Sequence, residues 1–240
     1  MPVVEPEDVI RHLGRQEAHW KEGFSAHALV TKWFSANGIP EAVKSALSKH
    51  DQFRGAEFID GFFERQVDLQ SAGRPSQTDL LALINVGNRV AVMAVEGKVD
   101  EPFGEIVRDW LEGRKRKTSE PAILSKRGAR TERLEGLWLT LGMKESDTHK
   151  LRYQLLHRAA SAIYEAKRYR ADLAVLIVHS FSEDASGFGR DGRLPNGPPL
   201  NGNRLQRRAA HRDIRTGIVI LSSKVRVVPP NTISRMCECS

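Results

Sequence analysis

The sequence has little cysteine and no long apolar run. Its 240 residues include two cysteines, Cys237 and Cys239, too few for a disulfide framework or a four-ligand zinc site. No run approaches the length of about 18 apolar residues that crosses a bilayer. The N-terminal segment MPVVEPEDVIRHLGRQ lacks the charged-then-apolar order of a signal peptide. These absences exclude a disulfide-rich secreted scaffold and predict a cytoplasmic protein without a membrane partner.

Acidic residues are fewer than basic ones, but the imbalance is local. The chain has 37 Lys and Arg against 30 Asp and Glu, a formal net charge of +7. Residues 191–240 contain nine of the basic residues and three of the acids, so six of the seven net charges lie there. Because the rest of the chain is nearly neutral, net charge alone does not identify it as a nucleic-acid binder.

The same C-terminal region differs in composition and periodicity from the residues that precede it. Residues 190–212 are rich in Gly, Pro, Asn and Arg and show no periodicity, and GIVILSSKVRVV then offers β-like runs. We therefore expect one domain over residues 1–189 and a basic, poorly ordered tail over 190–240. Two alternatives stay open: a tail translated from a shifted reading frame, and a divergent region whose β-like run pairs with the sheet.

Hydrophobic periodicity predicts an α/β fold with a mixed sheet flanked by helices. Two apolar runs rich in β-formers are separated by Asn85-Val-Gly-Asn88, which is typical of a β-hairpin. A long amphipathic helix followed by a fully apolar strand indicates that the last strand lies inside the sheet. The predicted helices cover 25–36, a segment opening at Pro40, 101–112, 132–142 and 148–169; the strands cover 62–69, 78–84, 89–99 and 172–181; and a basic loop covers 113–130.

The hairpin brings charged residues together at its open end. A turn at 87–88 places Asp79 directly opposite Glu96, whereas a turn at 86–87 leaves the pair diagonal on the same face. Directly opposed residues have Cβ atoms roughly 4.5–5.5 Å apart. Because side chains alternate along a strand, Lys98 shares the face of Glu96. Two acids and a lysine are thus predicted to lie close together in an apolar sheet.

Two facing carboxylates repel each other, and a divalent cation would relieve that repulsion. Carboxylate oxygens are the ligands that Mg²⁺ or Mn²⁺ prefers, and a nearby ammonium can orient an attacking water or neutralise charge on a phosphate. The alternative is a surface ion pair between Lys98 and a carboxylate. A second Glu-x-Lys, Glu165-Ala-Lys167, falls in a predicted helix, where a separation of two places the side chains on different faces.

The arrangement Asp79…Glu96-Gly97-Lys98 in a β-hairpin resembles the signature of the PD-(D/E)xK nuclease superfamily. Four stretches also resemble an uncharacterised group of bacterial proteins assigned to that superfamily: HWKEGFSAHAL (19–29), GRPSQTDLLAL (73–83), VEGKVDEPFG (95–104) and LRYQLLHRAASAIYEAKR (151–168). The resemblance implies a restriction-endonuclease-like core with the order αβββαβ.

The resemblance also implies roles for individual residues. Asp79, Glu96 and the carbonyl of Gly97 would hold the metal, and Lys98 would assist the attacking water. Gln154, on the helix after the hairpin, would join the catalytic set. His157 and Arg158 share its helix face and are candidates for substrate binding. An acidic residue near the first helix often joins such sites, and the sequence offers Glu17, Glu22, Glu57 and Glu64 without choosing among them.

We therefore expect a divalent-metal-dependent phosphodiester hydrolase that acts on nucleic acid, with DNA favoured. The alternative is a non-catalytic protein of the same fold that binds nucleic acid or a protein partner. Arg114, Lys115, Arg116 and Lys117 begin the basic loop and could contact backbone phosphates without reading sequence. A purely solvated loop is the alternative for that segment.

Overall fold

The computed structural model describes residues 3–14, 16–99, 103–113, 120–181 and 216–219. The α-helices are α1 (Ser25–Ser35), α2 (Glu41–Ser48), α3 (Val107–Glu112), α4 (Glu120–Leu141), α5 (Glu145–Thr148) and α6 (Tyr153–Arg168). The strands are β1 (Glu57–Val67), β2 (Ser76–Val86), β3 (Arg89–Lys98), β4 (Leu173–Ser180) and β5 (Thr216–Val219). Short 3-10 helices cover Pro6–His12, Gln16–Ala18 and Asp51–Phe53.

The strands form one mixed sheet in the order β1-β2-β3-β4-β5. The first three strands make an antiparallel meander, β4 runs parallel to β3, and β5 runs antiparallel to β4. Leu80 pairs with Val95, and Val86 pairs with Arg89, so the hairpin turn lies at 87–88. Gly87 there has a φ of 66°, a conformation that suits glycine. The predicted α/β class, and the first of the two turn placements, are confirmed.

Helices cover both faces of the sheet because its strands are apolar on both sides. On one face, Leu29 and Trp33 of α1 and Leu47 of α2 pack against alternate residues of β2, β3 and β4. On the other face, α6 packs small side chains such as Ala159 and Ala162 against Leu81, Ala94 and Leu176. The small residues let α6 lie close to the strands, which brings its polar residues near the end of the hairpin.

A third apolar cluster joins α3, α4 and α6 beyond the edge of the sheet. Leu134 and Leu137 of α4 pack with Leu156 and Ala160 of α6, and Val107 of α3 completes the contact. These helices therefore form a wall beside the β1–β2 connection.

Three predicted helix boundaries were wrong. Residues 120–130, predicted as loop, belong to α4, because Lys and Arg are good helix formers despite their charge. The helix predicted over 101–112 begins at Val107. The helix predicted over 148–169 is broken between α5 and α6, where the backbone amide of Tyr153 donates to the carbonyl of Glu105 and Ile106 bridges to Arg152.

Four residues of the C-terminal region, 216–219, form β5 beside β4, which is the placement expected if the β-like run pairs with the sheet. The remainder of 190–240 lies outside the described residues. Within the described ranges, no helix combines the length and apolarity needed to cross a membrane.

Candidate functional site

Three adjacent strands each contribute one carboxylate to the face of the sheet that α6 covers. Phe63 of β1 pairs with Leu80 of β2, and Leu80 pairs with Val95 of β3. The next position on each strand carries an acid: Glu64, Asp79 and Glu96, respectively. We call these three residues the carboxylate cluster.

Glu96 is the most buried member of the cluster and is fully hydrogen-bonded. Its side chain is 1% exposed. Its Oε2 accepts from Nε of Arg158 at 2.5 Å, and its Oε1 accepts from Nε2 of Gln154 at 2.5 Å. The ammonium of Lys98 lies 3.0 Å from Oε1 and 5.3 Å from the centre of the Phe103 ring. Two cations therefore compensate one buried carboxylate, as buried charge requires.

Asp79 is held by the backbone of the opposite strand. The amide of Gly97 donates to Oδ2 of Asp79 at 2.9 Å, and Nη2 of Arg158 lies 3.6 Å from Oδ1. Burial, followed by repulsion from Glu96, raises the pKa of Asp79 well above its usual value. Burial is the main cause of this shift, and the nearby carboxylate of Glu96 adds to it.

Glu64 completes the cluster from an unusual backbone conformation. Its φ of 52° is left-handed, which is uncommon for a residue with a Cβ and often marks a functional position. The amide of Gln77 donates to Oε2 of Glu64 at 2.6 Å. Burial raises the pKa of Glu64 to about 7, and the charge of Glu96 acts in the same direction. The structure thus places Glu64 beside the site.

Arg158 connects the carboxylate cluster to a neighbouring polar group. Its Nη1 donates to Oγ of Ser76 at 3.0 Å, and that hydroxyl also lies 2.9 Å from Nδ1 of His157. Burial lowers the pKa of His157 well below its usual value, and the positive charge of Arg158 adds to the effect. His157 is therefore neutral at physiological pH, so that one ring nitrogen donates a hydrogen bond and the other accepts one.

The donor atoms suit a hard divalent cation, but a guanidinium compensates them in this structure. Among the described side chains, no three Asp, Glu, His or Cys residues are arranged to hold a metal ion together. Arg158 contacts both Asp79 and Glu96, and so supplies positive charge between the two predicted ligands.

The structure brings most of the predicted site residues together. Asp79, Glu96, Lys98, Gln154 and Arg158 are in mutual contact or share a partner, and His157 joins them through Ser76. The amide of Gly97, rather than its carbonyl, contacts Asp79. Arg114, Lys115, Arg116 and Lys117 lie outside the described residues.

The remaining acidic candidates lie elsewhere. Glu57 pairs with Asn85 at the opposite end of β1, and Glu17 and Glu22 precede α1 as exposed residues. The second Glu-x-Lys lies on α6, where Glu165 pairs with Arg65 at 3.2 Å and not with Lys167. Ser76 and Gln77 were missed by sequence reasoning, because a lone hydroxyl and a lone amide at a strand start carry no distinctive pattern.

Comparison with known proteins assigns a family without a function. No curated protein and no solved structure matches the chain. One family model matches residues 2–191, a span that includes the carboxylate cluster, α6 and β4. Since the match covers well over half of the sequence, the chain belongs to the family described as Domain of unknown function (DUF6946).

Proposed function

We propose that this protein is a divalent-metal-dependent phosphodiesterase with a restriction-endonuclease-like core, acting on nucleic acid and preferentially on DNA. One observation supports the proposal above the others: the carboxylate cluster lies beside Lys98 and Gln154 on the α6 face of the hairpin. The observed order of a helix, a three-stranded meander, further helices and a parallel strand is compatible with that core.

Each side chain has a definite task in this proposal. Asp79 and Glu96 would hold Mg²⁺ or Mn²⁺, with the Gly97 carbonyl as a further ligand, and the metal would supply Lewis acidity and a more acidic bound water. Lys98 would donate to the attacking water or to the phosphate. Gln154, which hydrogen-bonds Glu96, would fix the orientation of that carboxylate.

Glu64 is suited to carry a proton during the reaction. Its pKa of about 7 lies near neutral pH, where a carboxyl group both donates and accepts protons efficiently. Its hydrogen bond from Gln77 fixes the orientation of the carboxyl group relative to Asp79 and Glu96. We assign it the transfer of a proton during hydrolysis.

The alternative is a protein of the same fold that binds nucleic acid or a protein partner without catalysis. Arg158 favours this alternative, because it pairs with both Asp79 and Glu96 and compensates their charge without a metal. In that case Lys98 and Arg158 would serve as permanent counter-ions that stabilise the hairpin.

Cleavage assays separate the two candidate functions. Labelled single-stranded DNA, double-stranded DNA and RNA would be incubated with the protein in Mg²⁺, Mn²⁺ or EDTA. We expect cleavage with either metal and none in EDTA. Lys98→Ala should reduce the rate by roughly 10²–10³, the scale of losing one preorganised transition-state donor.

Lys167→Ala is the matched control, because Lys167 belongs to the second Glu-x-Lys but is exposed on α6. It should cleave at the parental rate. Thermal melts of both variants would verify that each is folded. Metal binding without cleavage of any substrate would support the non-catalytic alternative, and cleavage by Lys98→Ala at the parental rate would leave Lys98 as a counter-ion.

A further inference from the structure

A pocket of about 410 Å³ opens beside the carboxylate cluster, a volume within the usual range for small-molecule sites. The β1–β2 connection forms one wall, and α3, α4 and α6 form the others. Arginine dominates its lining, and no Asp or Glu occurs among the described residues that line it. The arginines are Arg74, Arg130, Arg133 and Arg158.

Arg133 is a buried cation with no carboxylate partner among the described residues. It is 5% exposed, and its Nη atoms donate to neutral acceptors: Oγ of Ser71 and the carbonyls of Ala72 and Arg74, at 3.0–3.3 Å. Its Nε is buried, and no described residue forms a hydrogen bond with it. Burying an uncompensated charge is costly, so an anion in this pocket would provide the missing counter-charge.

The other arginines add to this excess. Within the described part of the chain, neither Arg74 nor Arg130 forms an ion pair, whereas Arg158 pairs with Glu96. Among the described residues, Arg74, Arg130 and Arg133 of the pocket therefore have no carboxylate partner, and Arg133 is the buried one. Guanidinium groups bind phosphate oxygens in pairs, which makes arginine the preferred residue for phosphate recognition.

One wall of the pocket is aromatic. The rings of Trp110 on α3 and Tyr153 on α6 stack with centroids 3.7 Å apart and planes inclined by 12°. The guanidinium carbon of Arg130 lies 5.5 Å from the centre of the Trp110 ring. Such a wall offers an aromatic, largely apolar surface against which a flat ring of a ligand could pack.

We propose that this pocket binds the phosphomonoester of a nucleoside, either as a free nucleotide or as the phosphorylated end of a strand. A monoester carries about −1.5 to −2 charges at pH 7, which suits several uncompensated arginines better than the single charge of a diester. The inference rests on the proposed function for its substrate class. Arg158 lines the pocket and also hydrogen-bonds Glu96, so the bound phosphate and the carboxylate cluster would share one side chain.

Titration calorimetry in EDTA tests the pocket independently of metal and of cleavage. The probes are adenosine 5′-monophosphate, inorganic phosphate, adenosine, and one short oligonucleotide with either a 5′-phosphate or a 5′-hydroxyl. We expect the monophosphate to bind at least tenfold more tightly than adenosine or inorganic phosphate. Equal affinity for adenosine and its monophosphate would overturn the assignment.

The oligonucleotide pair distinguishes the two sources of the ligand. Preference for the 5′-phosphorylated strand over the monophosphate indicates a strand end, and the reverse indicates a free nucleotide. Either result supports a phosphomonoester site. Equal binding of the phosphorylated and hydroxyl-ended strands, without binding of the monophosphate, contradicts it.

Variants locate the binding to this pocket. Arg130→Gln and Trp110→Leu should each weaken monophosphate binding at least tenfold. Arg133→Gln, once thermal melting shows that it is folded, should weaken this binding as well. Arg108→Gln is the matched control, because Arg108 is exposed on α3 beside Asp109 and does not line the pocket. Parental affinity in both Arg130→Gln and Trp110→Leu would overturn the proposal. Since no metal is present, failure of the cleavage assays would leave this result intact.

Discussion

At the scale of single residues, Asp79 and Glu96 approach each other across β2 and β3 but differ in how their charge is compensated. Glu96 accepts from Arg158, Gln154 and Lys98. Asp79 has one backbone donor and a distant guanidinium, and its pKa is raised by burial. Cations therefore surround Glu96 closely, whereas burial disfavours the ionised form of Asp79.

This difference predicts unequal effects of the two amide substitutions in the absence of metal. Asp79→Asn should change the free energy of unfolding by less than about 1 kcal/mol, because the amide oxygen can still accept from Gly97 and burial disfavours the charge that the substitution removes. Glu96→Gln should lower it by about 3 kcal/mol or more, because it leaves two buried cations without their partner. Urea denaturation in EDTA at pH 7 measures both. Equal losses in the two variants would show that Arg158 does not compensate Glu96 selectively.

His179 provides a pH-dependent contribution on the opposite face of the sheet. Its Nδ1 accepts from Nε1 of Trp33 at 3.3 Å, and it is completely buried. Burial lowers its pKa from 6.5 to about 4. The unfolded chain therefore binds a proton at a higher pH than the folded protein does, and the contribution of His179 to stability rises with pH between about 4 and 6.5.

The corresponding variant is His179→Asn, whose side-chain oxygen can still accept from Trp33. The parent should lose on the order of 2–3 kcal/mol more than the variant as the pH falls from 6.5 to 4. Urea denaturation across this range gives the two profiles, and their difference removes contributions shared by both proteins. Parallel profiles would mean that His179 titrates alike in the folded and unfolded states.

At the scale of elements, the hairpin and α6 were predictable and their surroundings were less so. The strands over 78–84 and 89–99 are apolar and β-rich, and the turn at 87–88 determines that Asp79 approaches Glu96. The break before α6 was not predictable, because it depends on pairing of Arg152 with Ile106, a contact distant in sequence. Glu64 was left undecided for a similar reason: its position depends on the β1–β2 register and a left-handed φ.

The small side chains on the buried face of α6 predict that a larger residue there would destabilise the fold. Ala162 is fully buried between α6 and the sheet, so Ala162→Leu has no space for the added carbons. We expect a loss of about 1–3 kcal/mol in the free energy of unfolding, measured by urea denaturation. Lys167→Leu, at an exposed position of the same helix, is the control. Unchanged stability in Ala162→Leu would show that α6 can move away from the strands freely.

At the scale of the whole molecule, the family match and the sheet end at different residues. The match ends at residue 191, after β4, whereas β5 adds residues 216–219 to the outer edge of β4. The carboxylate cluster, the pocket and both helical layers lie within the matched span. Of the described strands, β5 is therefore the one that lies outside the matched span.

We expect a protein truncated after residue 191 to fold, with a melting temperature only about 2–4 °C lower. The reason is that β5 pairs through only four residues with the outer edge of an already buried strand. A contribution on the order of 1 kcal/mol shifts the melting temperature by about 2–4 °C in a domain of this size. Full-length Ile218→Pro is the matched variant, because proline cannot donate to the β4–β5 ladder. Both proteins should melt at the same temperature. Below the melting transition, both should keep the parental far-UV circular dichroism. A truncated protein that is unfolded, while Ile218→Pro remains folded, would show that residues 192–240 contribute to the core by contacts other than the β5 ladder.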